Sequence, residues 1–234
     1  MRRIHQNLEE SDNPFGLSIG DLMAALLLIF ILLLASTLLK LQSKNDEMIK
    51  IIKDYPEIQN NIYKALYLEF KDSLKNWDAE IDTSLTVRFK APDILFETNK
   101  TDINIKFKAI LDSFFPRFKQ VILKPEFEYN LEEVRIIGHT DSIGDYYKNM
   151  ELSQKRAFSV LLYVMKKDSN SYDSFRMKKK ISASGFADKN EIKNNNTEEG
   201  RRQNRRVEFK IRTKAEEKLN KVFKKIIKTN VNSK

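Results

Sequence analysis

Residues 22–39 are an unbroken run of eighteen uncharged, mostly apolar positions. At about 1.5 Å rise per residue they span roughly 27 Å, close to the hydrocarbon thickness of a bilayer. The pattern predicts a transmembrane helix, extended to residues 17–40 by its uncharged flank. Residues 41–82 are densely charged, yet Leu41, Met48, Ile51, Ile52, Ile58, Ile62, Leu66, Phe70, Leu74 and Trp77 recur at threes, fours and sevens. That period predicts a helical connector, interrupted at Pro56, whose apolar stripe is buried against a second copy of the chain. A plug that closes an ion path is the sharper alternative. Beyond residue 83 the pattern changes. Residues 85–89 alternate as a strand, 105–118 read as helix, 134–137 as strand and 152–165 as helix. Residues 181–186 and 207–212 add two more strands, with a short helix near 198–202 between them. The order β-α-β-α-β-α-β implies an α+β sandwich over residues 83–213. Gly138, Gly144, Gly185 and Gly200 fall where these elements turn.

Composition narrows the chemistry. The chain has 234 residues, room for one domain and an appendage. With 41% hydrophobic and 32% charged residues it can bury a core. The absence of cysteine excludes disulfide scaffolds, thiolate metal sites and a lipidated N-terminal cysteine. His5 and His139 are the only imidazoles, too few for a multi-histidine metal site, and no cofactor is expected. Net charge is +9, but residues from 201 onward carry thirteen Lys and Arg against three Glu. The excess therefore belongs to the C-terminal end. Within the tail, residues 214–234, Leu219, Val222, Phe223, Ile226 and Ile227 form a helical stripe, so its lysines read as a solvated face and direct nucleic-acid binding is not expected. Before the membrane run, Glu9, Glu10 and Asp12 stand beside Arg2 and Arg3, and no small-residue cleavage site follows it. An uncleaved anchor fits this better than a secretory signal. Mixed charges at both ends leave its orientation open.

Asp21 stands one position before the apolar run. A carboxylate at the membrane's edge is costly and usually faces a protein interior or an aqueous path. Two readings are open. Ser18 to Asp21 has the spacing of a helix-capping box, and alternatively Asp21 carries an ion by alternating between protonated and ionised states as access switches sides. Ala24, Ala25, Leu28 and Leu32 continue its helical face, and the two alanines would let another helix approach closely. One helix cannot enclose a path, so an ion-carrying Asp21 requires other chains.

Two stretches carry a specific resemblance. Gly138, His139, Thr140, Asp141 and Ser142, then Gly144, Asn149, Leu152, Ser153, Arg156 and Ala157, are followed by Gly185 and Phe186. Asn196 to Arg201 and Asn204 to Glu208 complete the set. In order and spacing, over about residues 85–212, this resembles the OmpA-like peptidoglycan-binding domain. The resemblance implies noncovalent binding of a diaminopimelate-type stem peptide. Asp141 would meet its amino group and Arg156 its carboxylate, Asn149 and Leu152 would line the same pocket, and Asn204 and Arg205 would complete the carboxylate side or the pocket's hydrogen bonds. Lys148, where the family often has an aromatic, is counted with them. Such a zwitterion calls for one anion and at least one forked cation on fixed elements. The plainer reading is that Asp141 caps a turn and Arg156 pairs with it structurally. His139 has no nucleophile and base arranged around it, so no enzyme is expected. The polar stretch 168–180 reads as an insertion.

A single N-terminal helix with an Asp at its inner end, a helical connector and an OmpA-like domain together resemble the B subunits of ion-driven stator units. Flagellar MotB and the ZorB subunits of the Zorya anti-phage system share this layout. The sequence from Ser18 to Leu26, with Phe30 and without tryptophans or a strongly basic leader, is more similar to the ZorB branch. The resemblance implies a homodimer inside a ring of five A subunits of ZorA or MotA type. Asp21 would carry protons while peptidoglycan holds the pair still. It also implies an inner-membrane protein with residues 1–16 cytoplasmic and the C-terminal domain periplasmic. A flagellar stator subunit and a membrane-to-wall tether without ion transport are the alternatives.

Overall fold

The computed structural model describes residues 14–90, 92–97, 100–167, 171–217 and 219–220. The chain divides into two compact units, residues up to 50 and residues from 51.

The described residues of the first unit, 14–50, belong to helix α1, Pro14–Leu74. Residues 19–47 are exposed throughout, and they include a helical stretch long and apolar enough to cross a membrane. Such a surface, apolar on all sides, suits lipid. Because α1 starts at Pro14, both Ser18 and Asp21 lie inside it and the capping role at Asp21 falls away. Only residues at a helix's very start meet its free N–H groups. The predicted residues 1–13 and the tail from 221 lie outside the described residues.

In the second unit α1 also runs through Pro56, where a break was expected. An interior proline costs a helix about 3 kcal/mol. The turns that follow offset it, because Ile62, Leu66 and Phe70, one helical face at steps of four, are almost completely buried in the second unit's own core. This part of the stripe is therefore not available to a second copy, whereas Leu41 and Ile52 are exposed. Arg117 fastens the same helix. Its guanidinium lies 4.9 Å from the Phe70 ring and pairs with Glu69 at 2.7 Å.

The strands are β1 (Ala79–Ile81), β2 (Thr86–Phe89), β3 (Leu131–Gly138), β4 (Ile181–Gly185) and β5 (Val207–Thr213). They form a five-stranded sheet in the order β1-β2-β5-β3-β4. β3 and β4 run parallel, and the other pairs are antiparallel. Helices α2 (Pro92–Leu95), α3 (Ile105–Ile122), α4 (Pro125–Glu128), α5 (Tyr146–Lys167), α6 (Tyr172–Lys178) and α7 (Glu198–Asn204) belong to the same unit. The α+β class is as predicted. Three-residue β1 is too short to show a pattern, and α6 occupies the stretch read as an insertion, capped by the Ser171 hydroxyl accepting from Ser174 N.

The period-two alternation sorts the sheet's faces. Val87, Phe209 and Ile136 lie in register on the apolar face, as do Phe89 and Val207. There Phe89, Phe107, Phe114, Phe118, Phe209 and Phe70 are fully buried, with Phe89, Phe114 and Phe209 meeting edge to face at 5.0–6.0 Å. Each such ring contributes about 1.5–3 kcal/mol by burial. The alternate residues make ion pairs: Arg88 with Glu208 at 2.8 Å, and Arg135 and Arg212 with Glu133 at 2.6 and 3.1 Å.

The packed unit thus begins well before residue 83. A fragment from residue 51 is expected to unfold cooperatively, whereas one from residue 83 loses Ile62, Leu66, Phe70 and β1 and is expected to show no cooperative transition. Circular dichroism on heating distinguishes the two.

Candidate functional site

Paired glycines set the geometry of a cavity in the second unit. Gly138 and Gly185 stand side by side where β3 and β4 end. A Cβ on either would collide with the backbone of α5, at Ser153 or Gln154. Their bare backbones let α5 descend onto the strand ends, which puts its residues opposite the segment that follows β3. The Gln154 side chain fixes the contact, its Oε1 accepting from Gly185 N at 2.6 Å and its Nε2 donating to Ala183 O at 3.3 Å.

Between these elements lies a cavity of about 650 Å³. The segment after β3 supplies His139, Thr140, Asp141 and Ile143. Asn149, Leu152 and Arg156 enter from α5 at steps of three and four, the spacing that places residues on one helical face. Glu198, Arg201, Arg205 and Arg206 come from α7 and the residues after it, and Leu95 and Phe96 close another wall. Of the predicted residues, the structure brings Asp141, Asn149, Leu152, Arg156 and Arg205 together here. It does not bring Lys148, which is exposed on the first turn of α5. Nor does it bring Asn204, whose buried amide is spent on a loop. Its Oδ1 accepts from Ile192 N and Lys193 N, and its Nδ2 donates to Lys193 O and Asn195 Oδ1.

Asp141 is held from two sides. Its Oδ1 accepts from Ile143 N at 3.0 Å, the side-chain turn expected of an Asp in a loop, and its Oδ2 accepts from Arg205 Nη1 at 2.7 Å. Asn149 Nδ2 donates to the carbonyls of Asp141 and Ile143, which shapes the same turn. Arg205 also reaches Glu198 at 2.9 Å. Burial alone would lower the Arg205 pKa, but its hydrogen bonds to Asp141 and Glu198 raise it.

Arg156 differs. It does not pair with Asp141. It donates instead to the backbone carbonyls of Lys100 at 3.0 Å and Glu97 at 3.2 Å, and its guanidinium lies 4.9 Å from the Phe96 ring. Every other arginine of the cavity has a carboxylate: Arg201 has Glu198, Arg205 has Asp141 and Glu198, and Arg206 has Glu208. Among the described residues no carboxylate pairs with Arg156. Burial, then the nearby Arg205 charge, lowers its pKa to about 10, only partly offset by the charge of Asp141. A buried cation without an ion-pair partner is costly. The cavity therefore offers an incoming anion a buried guanidinium.

Beneath it lies a polar cluster that sequence reasoning missed. Glu208 accepts from Arg206 Nε at 2.7 Å and Arg88 Nε at 2.8 Å, and His139 Nε2 stands 3.5 Å from its other oxygen. Arg206 also donates to Asn204 O and Asn190 O, and His139 Nδ1 lies 3.2 Å from Lys189 O. Burial pushes the Glu208 carboxyl up, but His139 and Arg206 outweigh it and hold the group far below the ordinary carboxylate range. Burial lowers the His139 pKa. Alternation along β5 was the available signal, since Glu208 lies between the core residues Val207 and Phe209.

Asp21 belongs to the first unit. It is exposed on α1, as are Ala24, Ala25, Leu28 and Leu32 of the same face.

Comparison with known proteins places the chain. It is 36% identical over 224 residues to the Zorya protein ZorB of Escherichia coli, covering 92% of this chain and 94% of that protein. The chain belongs to the ZorB family. The OmpA family profile matches residues 95–205, the span that holds the cavity's wall residues except Arg206. Outer membrane protein A of Bordetella avium is 33% identical over 121 residues, 51% of this chain and 54% of that protein. Among solved structures, a putative MotB-like protein from Desulfovibrio vulgaris superposes with a TM-score of 0.50 at 20% identity, over 68% of this chain and 93% of that one. At that identity the likeness is one of fold. ZorB-family membership agrees with the branch indicated by the residues around Asp21.

The polar cluster sets an acid limit on stability. His139 has a folded pKa below its ordinary 6.5 and Glu208 one below its ordinary 4.5. Both contributions are complete above those ordinary values and are lost as pH falls through the folded ones. The melting temperature is expected to be level above about pH 7 and to fall in two stages, below 6.5 and again below 4.5. His139→Gln should remove the first stage and leave the second, as read by thermal denaturation across pH.

Proposed function

We propose that this chain is the B subunit of a Zorya-type stator unit in anti-phage defence, a membrane-anchored protein whose C-terminal unit grips peptidoglycan. The observation that carries the reading is the 36% identity to ZorB along nearly the whole of both chains, which includes more than the wall-binding domain. The apolar part of α1 supplies the anchor, in the cytoplasmic membrane. Peptidoglycan lies outside that membrane, so the N-terminus is cytoplasmic and the second unit periplasmic.

The cavity's charges support the ligand. A diaminopimelate-type stem peptide ends in an amino-carboxylate, whose carboxylate answers Arg156 and whose ammonium answers Asp141. Asn149 holds the Asp141 turn and Leu152 lines the apolar side. Arg205 orients Asp141 from the opposite side. Arg156→Ala removes the cavity guanidinium that has no carboxylate partner among the described residues, and it is expected to lower the fraction of protein that sediments with purified cell wall at least tenfold. Undiminished sedimentation moves the site elsewhere.

In the motor reading, two copies stand within a ring of five A-type subunits, and Asp21 of each takes up and releases protons as the ring turns. A carboxylate inside a helix otherwise suited to lipid is costly unless it faces a protein-lined path, and the small residues Ala24 and Ala25 on its face admit a neighbouring helix. Wall attachment keeps the pair stationary, so that ion flow becomes rotation of the ring. Asp21→Asn is expected to abolish protection from phage while the subunits still co-purify. Protection retained in that variant removes the ion-carrying role and leaves a wall tether.

A further inference from the structure

The sheet's second face, opposite the aromatic core, carries ion pairs, and along it runs a groove of about 350 Å³. Arg135 and Ile137 of β3 and Glu208, Lys210 and Arg212 of β5 line it, with Arg135 opposite Lys210 and Ile137 opposite Glu208. Of its described lining residues only Ile137 and Phe186 are apolar, and both stand at the Glu208 end. Ile137 is buried, yet it does not belong to the core on the other face. An apolar spot closing a charged groove asks for an apolar cover.

The start of the C-terminal tail enters this groove. Lys214 N donates to Asn130 O at 2.9 Å, and Glu216 N donates to Thr213 Oγ1 at 3.2 Å, a hydroxyl cap. Residues 214–217 and 219–220 are helical. Glu216 and Asn220, one turn apart, both line the groove, so the helix axis follows it. At about 3.6 residues per turn the same helical face continues through positions 223 and 227, which are Phe223 and Ile227. Leu219 and Ile226 flank that face, while Lys218, Lys221, Lys225 and Lys228 fall on the opposite side. From Glu216 to Phe223 a helix advances about 10 Å, and the strand from Arg212 to Glu208 covers about 13 Å. A continued helix therefore brings Phe223 and Ile227 level with Ile137 and Phe186.

We propose that residues 221–227 continue this helix along the groove and dock Phe223 and Ile227 over Ile137 and Phe186, so that the chain's own tail closes the outer face of its sheet. The lysines then face solvent. Glu208, which lines the groove and also pairs with Arg206 beneath the ligand cavity, is shielded from water on its open side. The tail thus braces the cavity from behind and makes no contact with what the cavity holds.

The chain has no cysteine of its own, so paired cysteines report the docking directly. The full chain in detergent, carrying Phe223→Cys with Lys210→Cys, is treated with a short bis-maleimide. Joining within one chain is expected, read by mass mapping of the linked peptides. Lys225→Cys with Lys210→Cys is expected to join about tenfold less, because position 225 lies on the far side of the helix. A chain ending at Asn220 and the variant Phe223→Asp should each melt about 5 °C lower or more, whereas Lys225→Asp should leave the melting temperature unchanged. Joining between two chains, seen as a dimer on a denaturing gel, overturns the proposal and makes a second copy the occupant of the groove. Absence of joining, or equal joining from position 225, also overturns it, as does an unchanged melting temperature in Phe223→Asp or the shortened chain.

Discussion

A close approach of backbones organises the second unit. Where β3 and β4 end, Gly138 and Gly185 present no side chains, and α5 rests on them closely enough that a single methyl would be expelled. Everything that gives the cavity its chemistry is measured from that contact. It sets Asn149, Leu152 and Arg156 against the turn that carries Thr140 and Asp141. It also brings the Ser153 hydroxyl to Ala187 N, and so fixes the loop that holds Thr140. Protein interiors are packed densely enough for such an approach to be all or nothing.

On that frame the charges are distributed unequally. Arg205 and Arg201 share Glu198, Asp141 is already met by Arg205, and Arg206 is sunk against Glu208 beneath the floor. Arg156 alone of the cavity's arginines makes its direct contacts with carbonyls and an aromatic ring and not with a carboxylate. A cation treated in this way holds free energy that an incoming carboxylate can release. In the deeper cluster Glu208 is met by both Arg206 and Arg88, and the group serves as support. The cavity's arginines thus divide into one on α5 that lacks a carboxylate and others, from α7 and the residues after it, that hold the walls.

Helix α1 carries two unlike surfaces in succession. Its residues 22–39 are uncharged and exposed on every side, and its later turns are amphipathic and bury Ile62, Leu66 and Phe70 in the core of the second unit. The hydrophobic stripe of a connector has an ambiguous destination, because a partner chain and the chain's own core bury apolar area equally well. Phe114 and Arg117 are what claim the stripe here, and they lie up to 55 residues downstream of Ile62.

By itself, the sequence determined the membrane run, the α+β class and most of the cavity. Eighteen uncharged residues admit few other uses, strand and helix periods are local, and the spacing of Asn149, Leu152 and Arg156 places them on one face whatever they pack against. Tertiary structure decided what depends on distant neighbours. It decided that Asp141 pairs with Arg205 and not with Arg156, because the descent of α5 gives Arg156 the carbonyls of residues 97 and 100 instead. It spent Asn204 on a loop and left Lys148 on the surface, although both neighbour residues of the cavity. Adjacency along a chain carries no direction in space, and a side chain's partner is settled only when the elements on either side of it have packed.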